Sequence, residues 1–380
     1  PRPPGPLVWL HGASVGEALS ILPLIAALRR AAPGIGVLVT TGTVTSAARI
    51  APELPSGALH QFVPVDTAAA VGRFLDHWRP DLAIWVESEF WPRLMTETAR
   101  RGTPMLLVNA RVSAASAARW RRLPGMARAL VGLFARIVTQ DAPTQARLVA
   151  MGADPGRVAE GGNLKMLAEP PGADAATLAR LRAAIGARPV WLAASTHPPE
   201  EAIALAAHRL LAAQMPGLLT IVAPRHPDRG DALAGTLAAP GVRVARRARG
   251  ALPDPETGIY LADTLGEMGL WLRLAPVAFI GGSLADRGGH NPFEPAALGV
   301  AILHGPHVAN FAPAYAALTA AGGATVVADA ATMAGAVARL LHDPAARAAQ
   351  TAAAEAVLAQ LRPDVAALAA QALALLRGRG

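Results

Sequence analysis

Short apolar runs of strand length alternate with helical patterns from one end of the chain to the other, and few folds accommodate that alternation. An apolar run covered on both faces is a buried strand, and a helical segment carrying the chain back to the same sheet edge makes a βα unit. Strands are predicted at Leu7 to Leu10, Gly36 to Thr40, Leu82 to Val86, Met105 to Val108 and Arg136 to Thr139. A second series is predicted at Val190 to Ala194, Leu218 to Ala223, Val242 to Ala245, Gly258 to Leu261, Val277 to Ile280, Ala301 to Leu303 and Ala324 to Val327. Between the series, Leu167 to Ala173 contains Pro170, Pro171 and Gly172 and reads as a linker. The expectation is an α/β protein of two similar Rossmann-like domains facing one another, with their cleft as the ligand site. The boundaries expected are 1–168, 169–350 and a helical tail over 351–380, interrupted at Pro363, that caps the second domain or crosses back to the first.

Composition narrows the chemistry. With 52% hydrophobic and 16% charged residues, the 380-residue chain has ample core for two domains, which excludes disorder, collagen and disulfide scaffolds. Cysteine is absent, so thiolate metal sites and cysteine nucleophiles are excluded. No stretch approaches the ~18 to 20 uncharged apolar residues of a membrane span; the best, Gly125 to Val138, is interrupted by Arg128 and Arg136. The net charge of +8 points to an anionic partner, either an acidic membrane face or a phosphorylated or carboxylated substrate. Nucleic acid is not expected, because the basic residues are spread and aromatics make up only 4%. Every basic residue other than histidine is arginine except Lys165, which suggests that a compact ammonium is needed there, unless composition alone accounts for it.

In parallel α/β sheets ligands bind beyond the carboxyl ends of the strands. The first predicted strand is followed by His11-Gly12-Ala13-Ser14-Val15-Gly16-Glu17, a glycine-bearing turn opening a helix, with neither the dinucleotide fingerprint nor the P-loop spacing. Glu17 then serves either as a base in the crevice or as an ordinary first-turn carboxylate facing the helix dipole. The second strand ends in Thr40-Thr41-Gly42-Thr43-Val44-Thr45-Ser46, whose hydroxyls either meet sugar or phosphate oxygens or cap the helix. The third ends in Glu87-Ser88-Glu89-Phe90-Trp91-Pro92, two carboxylates on one side of an extended segment, and the fourth delivers Asn109-Ala110-Arg111-Val112-Ser113. Arg119 to Arg128, with Trp120, Arg122, Leu123 and Met126, reads as an interfacial segment or as a solvated helix face. In the second series, Ser195-Thr196-His197 and Pro224-Arg225-His226-Pro227 follow strands, the latter an anion clamp stiffened by prolines. Gly281-Gly282-Ser283 and Arg287-Gly288-Gly289-His290-Asn291-Pro292-Phe293-Glu294-Pro295 are the strongest local signal: close backbone approach, free amides for a phosphate, and Glu294 for ribose hydroxyls. There is no D-x-D, H-E-x-x-H or Cys/His cluster, so no metal site is expected.

Taken in order, His11 to Glu17, Glu87 to Pro92, Asn109 to Ser113, Gly162-Asn163-Leu164-Lys165, Ala194 to His197, Pro224 to Pro227 and Gly288 to Pro295 resemble the motifs of bacterial 3-deoxy-D-manno-octulosonic acid (Kdo) transferases, over about His11 to Phe311. The resemblance implies a GT-B glycosyltransferase that moves Kdo from CMP-Kdo to a lipid A precursor with inversion and without a metal or cofactor. It also implies an N-terminal acceptor domain, a C-terminal CMP-sugar domain and a C-terminal helix crossing back. Glu17 becomes the expected base. Arg225, His226 and Lys165, with the amides near His290 and Asn291, are expected at the CMP phosphate and the Kdo carboxylate. Ser195, Thr196, Gly282 and Glu294 are expected at cytosine and ribose. Ser14, Gly16, Thr41, Thr43, Glu87, Glu89, Arg111, Arg119 and Arg122 are expected on the acceptor side.

The chain departs from the pattern at Gly12, commonly alanine, at Phe90, commonly leucine, and at Ala114-Ala115-Ser116, which lacks a charged residue often present. Family members usually carry a hydrophobic anchor ahead of the first motif, so the expected setting is the cytoplasmic face of the bacterial inner membrane, against an anionic surface, with the anchor upstream of this sequence. Two alternatives remain: a GT-B enzyme using another nucleotide sugar, and a catalytically silent lipopolysaccharide-binding protein.

Overall fold

The computed structural model describes residues 1–87, 90–167 and 170–378. The chain forms two compact units, Pro1–Ala168 with Leu361–Gly380, and Glu169–Gln360. Each is built on one seven-stranded sheet whose paired strands all run parallel.

In the first unit the strands are β1 (Leu7–His11), β2 (Gly36–Thr41), β3 (Ala58–Phe62), β4 (Leu82–Val86), β5 (Met105–Ala110), β6 (Arg136–Thr139) and β7 (Val158–Glu160), in the order β3-β2-β1-β4-β5-β6-β7. Side chains alternate across the pleat, so Leu7 and Trp9 enter one core with Trp85, Phe74 and Phe134, while Val8 and Leu10 enter the other with Ile84 and Val108. Trp9 and Trp85 are fully buried and meet edge to face at 4.8 Å. The second core is completed from the far end of the sequence. The helix Val365–Arg377 packs on Leu22–Ala31, with Leu368, Ala369, Ala372 and Leu373 buried beside Leu24, Ile25 and Leu28. Each such leucine or isoleucine contributes about 1.5–3 kcal/mol by leaving water, which fixes the tail to this unit.

In the second unit the strands are β8 (Val190–Thr196), β9 (Leu219–Pro224), β10 (Arg243–Arg246), β11 (Thr257–Leu261), β12 (Val277–Ile280), β13 (Ala301–His304) and β14 (Ala324–Val326), ordered β10-β11-β9-β8-β12-β13-β14. Trp191, Phe279, Leu303 and Met333 anchor one of its cores. The long helix Pro344–Leu361 closes this side through Gln350, which donates to the carbonyl of Ile302 at 2.8 Å.

The predicted strands are present. The apolar-run pattern omits β3 and β7, both at sheet edges. An edge strand is covered on fewer sides, so β3 carries His60 and Gln61 and is at most half-buried, and β7 is only three residues long. In both sheets the chain reverses its direction of strand addition once, between β1 and β4 and between β8 and β12. The crevice beyond the carboxyl ends of such a pair is where an open parallel sheet takes ligands.

Candidate functional site

At the first reversal the backbone leaves β1 through His11. Its buried ring lies 3.0 Å from the Thr40 hydroxyl, which also accepts from Trp9 Nε1 at 2.8 Å. Burial pushes the His11 pKa down to about 4, against a hydrogen bond with Thr40 that raises it. Ser14 then caps the helix Val15–Ser20. Glu17 is 8% exposed and reciprocates: Oε2 accepts from the backbone N–H of Ala13 at 2.8 Å and of Ser14 at 3.3 Å, while Oε1 accepts from the Ser14 hydroxyl at 2.8 Å. A carboxylate offers about four acceptor positions. These three bonds leave one lone pair, on Oε1, for an outside proton. The first-turn carboxylate reading of Glu17 is met by the capping box, and the same carboxylate lies at the reversal point of the sheet.

Beside it, Glu87 follows β4 and Asn109 is the penultimate residue of β5, both with left-handed backbone (φ 61° and 54°), uncommon for glutamate and better tolerated by asparagine. Asn109 Oδ1 accepts from Leu164 N–H at 2.9 Å, which draws in the short 3₁₀ turn Leu164–Leu167. Lys165 Nζ consequently sits 2.5 Å from Glu87 Oε1, and a Cβ placed on Gly16 would lie 3.5 Å from Lys165 Cε. Lys165, expected at the donor, belongs to the first unit with Gly16 and Glu87. Glu89 lies outside the described residues.

The other acceptor-side residues divide. Thr41 is buried with its hydroxyl 2.9 Å from His60 Nε2, and Thr43 caps the helix Val44–Ile50, accepting from Ser46 N–H at 3.1 Å. Ser46 in turn donates to the Ala13 carbonyl at 3.2 Å, joining this loop to the first motif. Arg111 is half-buried just after β5. Arg119 and Arg122 are exposed, next to Leu123 (53% exposed) and Met126 (47%).

At the second reversal, Ser195 near the end of β8 is again left-handed (φ 53°), and the buried Thr196 Oγ1 has no hydrogen-bond partner among the described residues. Gly281 tolerates no side chain, because a Cβ there would lie 2.4 Å from the Ser195 carbonyl oxygen. Gly282 (φ 70°) turns the backbone so that the four amides of Gly282 to Ala285 converge on one carboxylate, that of Glu200, at 2.8 to 3.2 Å. Glu200 is fully buried and takes a fifth bond from His197 N–H at 2.9 Å. Sequence reasoning missed Glu200 as a site residue. Its signal was an ordinary acid in the first turn after Pro198-Pro199, and its partners come from a distant segment.

The loop so fixed carries His290, whose Nε2 lies 3.0 Å from His197 Nε2. Burial pushes the His290 pKa down to about 4. Tyr315 holds the same residue by donating to its carbonyl at 2.8 Å. Arg225 and His226 are exposed at the end of β9, with Arg225 N–H bound to the Thr196 carbonyl at 3.0 Å. A cavity of about 180 Å³ opens between Ser195, Met268, Leu272, His290, Asn291 and Glu294. Asn291 donates to Glu294 Oε1 at 3.1 Å, yet burial still raises the Glu294 pKa. The pocket thus offers an apolar wall and a carboxyl–amide edge, which suits a flat polar ring. Ser195, Thr196, Gly282, His290, Asn291, Glu294, Arg225 and His226 gather at this end of the second sheet.

Among the described residues no group of three or more histidine, aspartate or glutamate side chains is placed to hold a metal ion, and no helix is long and apolar enough to cross a membrane.

Comparison with known proteins places this geometry. A family model described as 3-Deoxy-D-manno-octulosonic-acid transferase (kdotransferase) matches residues 1–168. The 3-deoxy-D-manno-octulosonic acid transferase of Bordetella pertussis is 38% identical over 93% of this chain and 85% of its own, and that of Haemophilus influenzae 33% identical over 81% and 73%. Among solved structures, the UDP-GlcNAc 2-epimerase of Neisseria meningitidis superposes with a TM-score of 0.62 over 93% of this chain and 99% of its own, at 12% identity. The last likeness speaks to the fold alone, two Rossmann-like units of the kind found in GT-B glycosyltransferases. The sequence relatives speak to the family: the chain is a glycosyltransferase and belongs to the 3-deoxy-D-manno-octulosonic acid transferases.

Proposed function

We propose that the protein transfers Kdo from CMP-Kdo to a lipid A precursor, the first unit taking the acceptor and the second the donor. The observation that carries this reading is the position of Glu17: a buried carboxylate at the reversal point of the first sheet, with one acceptor position left beyond its capping bonds. As the acceptor oxygen bonds to the anomeric carbon, its proton passes to Glu17 Oε1. The bond from that carbon to the phosphate oxygen breaks on the opposite face, and CMP leaves with the electron pair. Inversion follows from this single displacement.

The donor half of the reading rests on the second reversal. The pocket of about 180 Å³ is smaller than a whole-nucleotide site and is sized for the base, with Asn291 and Glu294 at its polar edge. Arg225, His226 and the His290 region supply donors for phosphate. Lys165, held by Glu87, presents an ammonium for the Kdo carboxylate. The exposed Arg119, Arg122, Leu123 and Met126 suit an anionic lipid surface, in keeping with work at the inner face of the inner membrane.

Nucleotide protection tests the donor assignment. CMP should raise the melting temperature in a concentration-dependent way, and UDP at the same concentrations should not. Protection by UDP and not by CMP would transfer the reading to another nucleotide sugar.

A further inference from the structure

The Nε2 atoms of His197 and His290 face one another at 3.0 Å, with ring planes only 10° apart and centroids 5.3 Å apart. The centroids are farther apart than the nitrogens and the planes nearly parallel, so the rings meet edge to edge and the contact lies in their common plane. Two bare nitrogen lone pairs do not approach so closely. One Nε2 therefore carries hydrogen and donates, the other accepts, and the accepting ring keeps its hydrogen on Nδ1. The donating ring is left with a bare Nδ1, which can take a third proton while the Nε2–H···Nε2 bond stays in place, giving the pair one positive charge.

The surroundings hold this neutral arrangement in place. From the loop after β9, Arg225 and His226 face the pair, the His226 ring 5.9 Å from that of His197; from the loop after β12 comes Arg287. Glu200 and Glu201, at the start of the helix Pro198–Ala212, oppose the charge of the two arginines. Glu200 is already satisfied by five backbone amides, and Glu201 by Arg229 through two bonds of 2.9 Å. Burial and the neighbouring cations lower the affinity of both imidazoles for a further proton. A phosphate arriving among Arg225, His226 and Arg287 cancels that repulsion and reverses the balance.

We infer that the His197–His290 pair is a proton-accepting clamp for the nucleotide phosphate, neutral before the phosphate binds and charged by uptake of one proton when it does. The inference rests on the reading of the second unit as the CMP-sugar unit. It assigns His197 a direct role at the leaving group. In CMP-Kdo the phosphate is a diester with one negative charge, and in released CMP it is a monoester that gains a second. The imidazolium formed on the pair stands where that second charge develops and stabilises it without giving up its proton. The acceptor's proton goes separately to the base, so charge and protons balance.

The test is a proton count. CMP is titrated calorimetrically into the protein at pH 7.5 in buffers of different ionisation enthalpy, and phosphorus NMR of the bound nucleotide reports whether its phosphate stays doubly charged. The clamp predicts uptake of about one proton per CMP, a bound phosphate that remains a dianion, and uptake at least halved in His197→Gln or His290→Gln. Binding without proton exchange, a protonated bound phosphate, or uptake unchanged in both variants would overturn it. Failure of CMP to bind the folded protein is a distinct result that removes the donor reading and the clamp with it.

Discussion

Lys165 Nζ lies 2.5 Å from Glu87 Oε1, joining the only lysine of the chain to a carboxylate whose backbone is left-handed at the end of β4. Both side chains are largely covered, at 26% and 15% exposure, so neither charge is fully hydrated without the other. Asn109 holds the turn that delivers the lysine, through its bond to Leu164 N–H.

Lys165→Met should destabilise the first unit by about 1–3 kcal/mol, less than the cost of breaking a fully buried pair because water still reaches both groups. Adding Glu87→Gln removes the stranded carboxylate and should recover part of that loss. Urea unfolding of the two singles and the double checks it; strictly additive losses would show that the pair is not coupled.

Glu17→Gln should lower transfer by about 10²–10⁴-fold while leaving nucleotide protection intact, because the amide keeps the shape and lacks the proton-accepting oxygen pair. Ser14→Ala is the companion variant. It removes a cap and a bond to Glu17 Oε1, with an expected loss of about 1 kcal/mol in stability. Turnover of Glu17→Gln at the wild-type rate would take the base role away from this residue.

Glu200→Gln places an amide N–H₂ among four converging backbone amides, where only acceptors are accommodated. The expected cost is about 2–4 kcal/mol, from lost charge-assisted bonds and unpaired buried donors. CMP affinity should fall along with stability, since the same loop carries His290. A variant with wild-type stability and affinity would show that the loop holds its shape without the carboxylate.

Acid should weaken the fold through His11, whose pKa burial lowers from 6.5 to about 4. Above pH 6.5 the ring is neutral folded and unfolded, and its contribution to stability is complete. Between 6.5 and 4 the unfolded chain binds a proton that the folded one refuses, so stability falls as pH falls; below 4 there is no further change. The loss expected from this residue is on the order of 2–3 kcal/mol. His208, also lowered to about 4, adds a loss of the same sign. Urea midpoints of wild type and His11→Gln at pH 7 and pH 4.5 check this; identical pH slopes would contradict it.

The interior of each sheet was legible because both its faces are covered, which makes strands such as Leu7 to Leu10 and Val277 to Ile280 continuous apolar runs. The edges β3 and β7 were not, since a strand covered on one side has no reason to be apolar throughout. At the site, residues at the carboxyl ends of strands were readable from position alone: Glu87 and Arg225 follow β4 and β9 directly, Ser195 is the penultimate residue of β8, and Glu17 lies in the helix that the turn after β1 opens. What escaped were relationships made across the fold. Nothing local marks Glu200 as the anion in a nest of amides from Gly282 to Ala285, or couples His197 to His290. The hydroxyls of Thr41 and Thr43 read equally well as ligand contacts or as structure, and in the folded chain one meets His60 and the other caps a helix.

Kdo transfer itself is read in the mass of the lipid product. The protein in detergent, given CMP-Kdo and a tetraacylated lipid A precursor, should yield a lipid heavier by one or more Kdo units, with the same preparation of Glu17→Gln yielding little. A folded, CMP-protected wild-type protein that leaves the lipid mass unchanged in the presence of both substrates would rule out Kdo transfer to this acceptor.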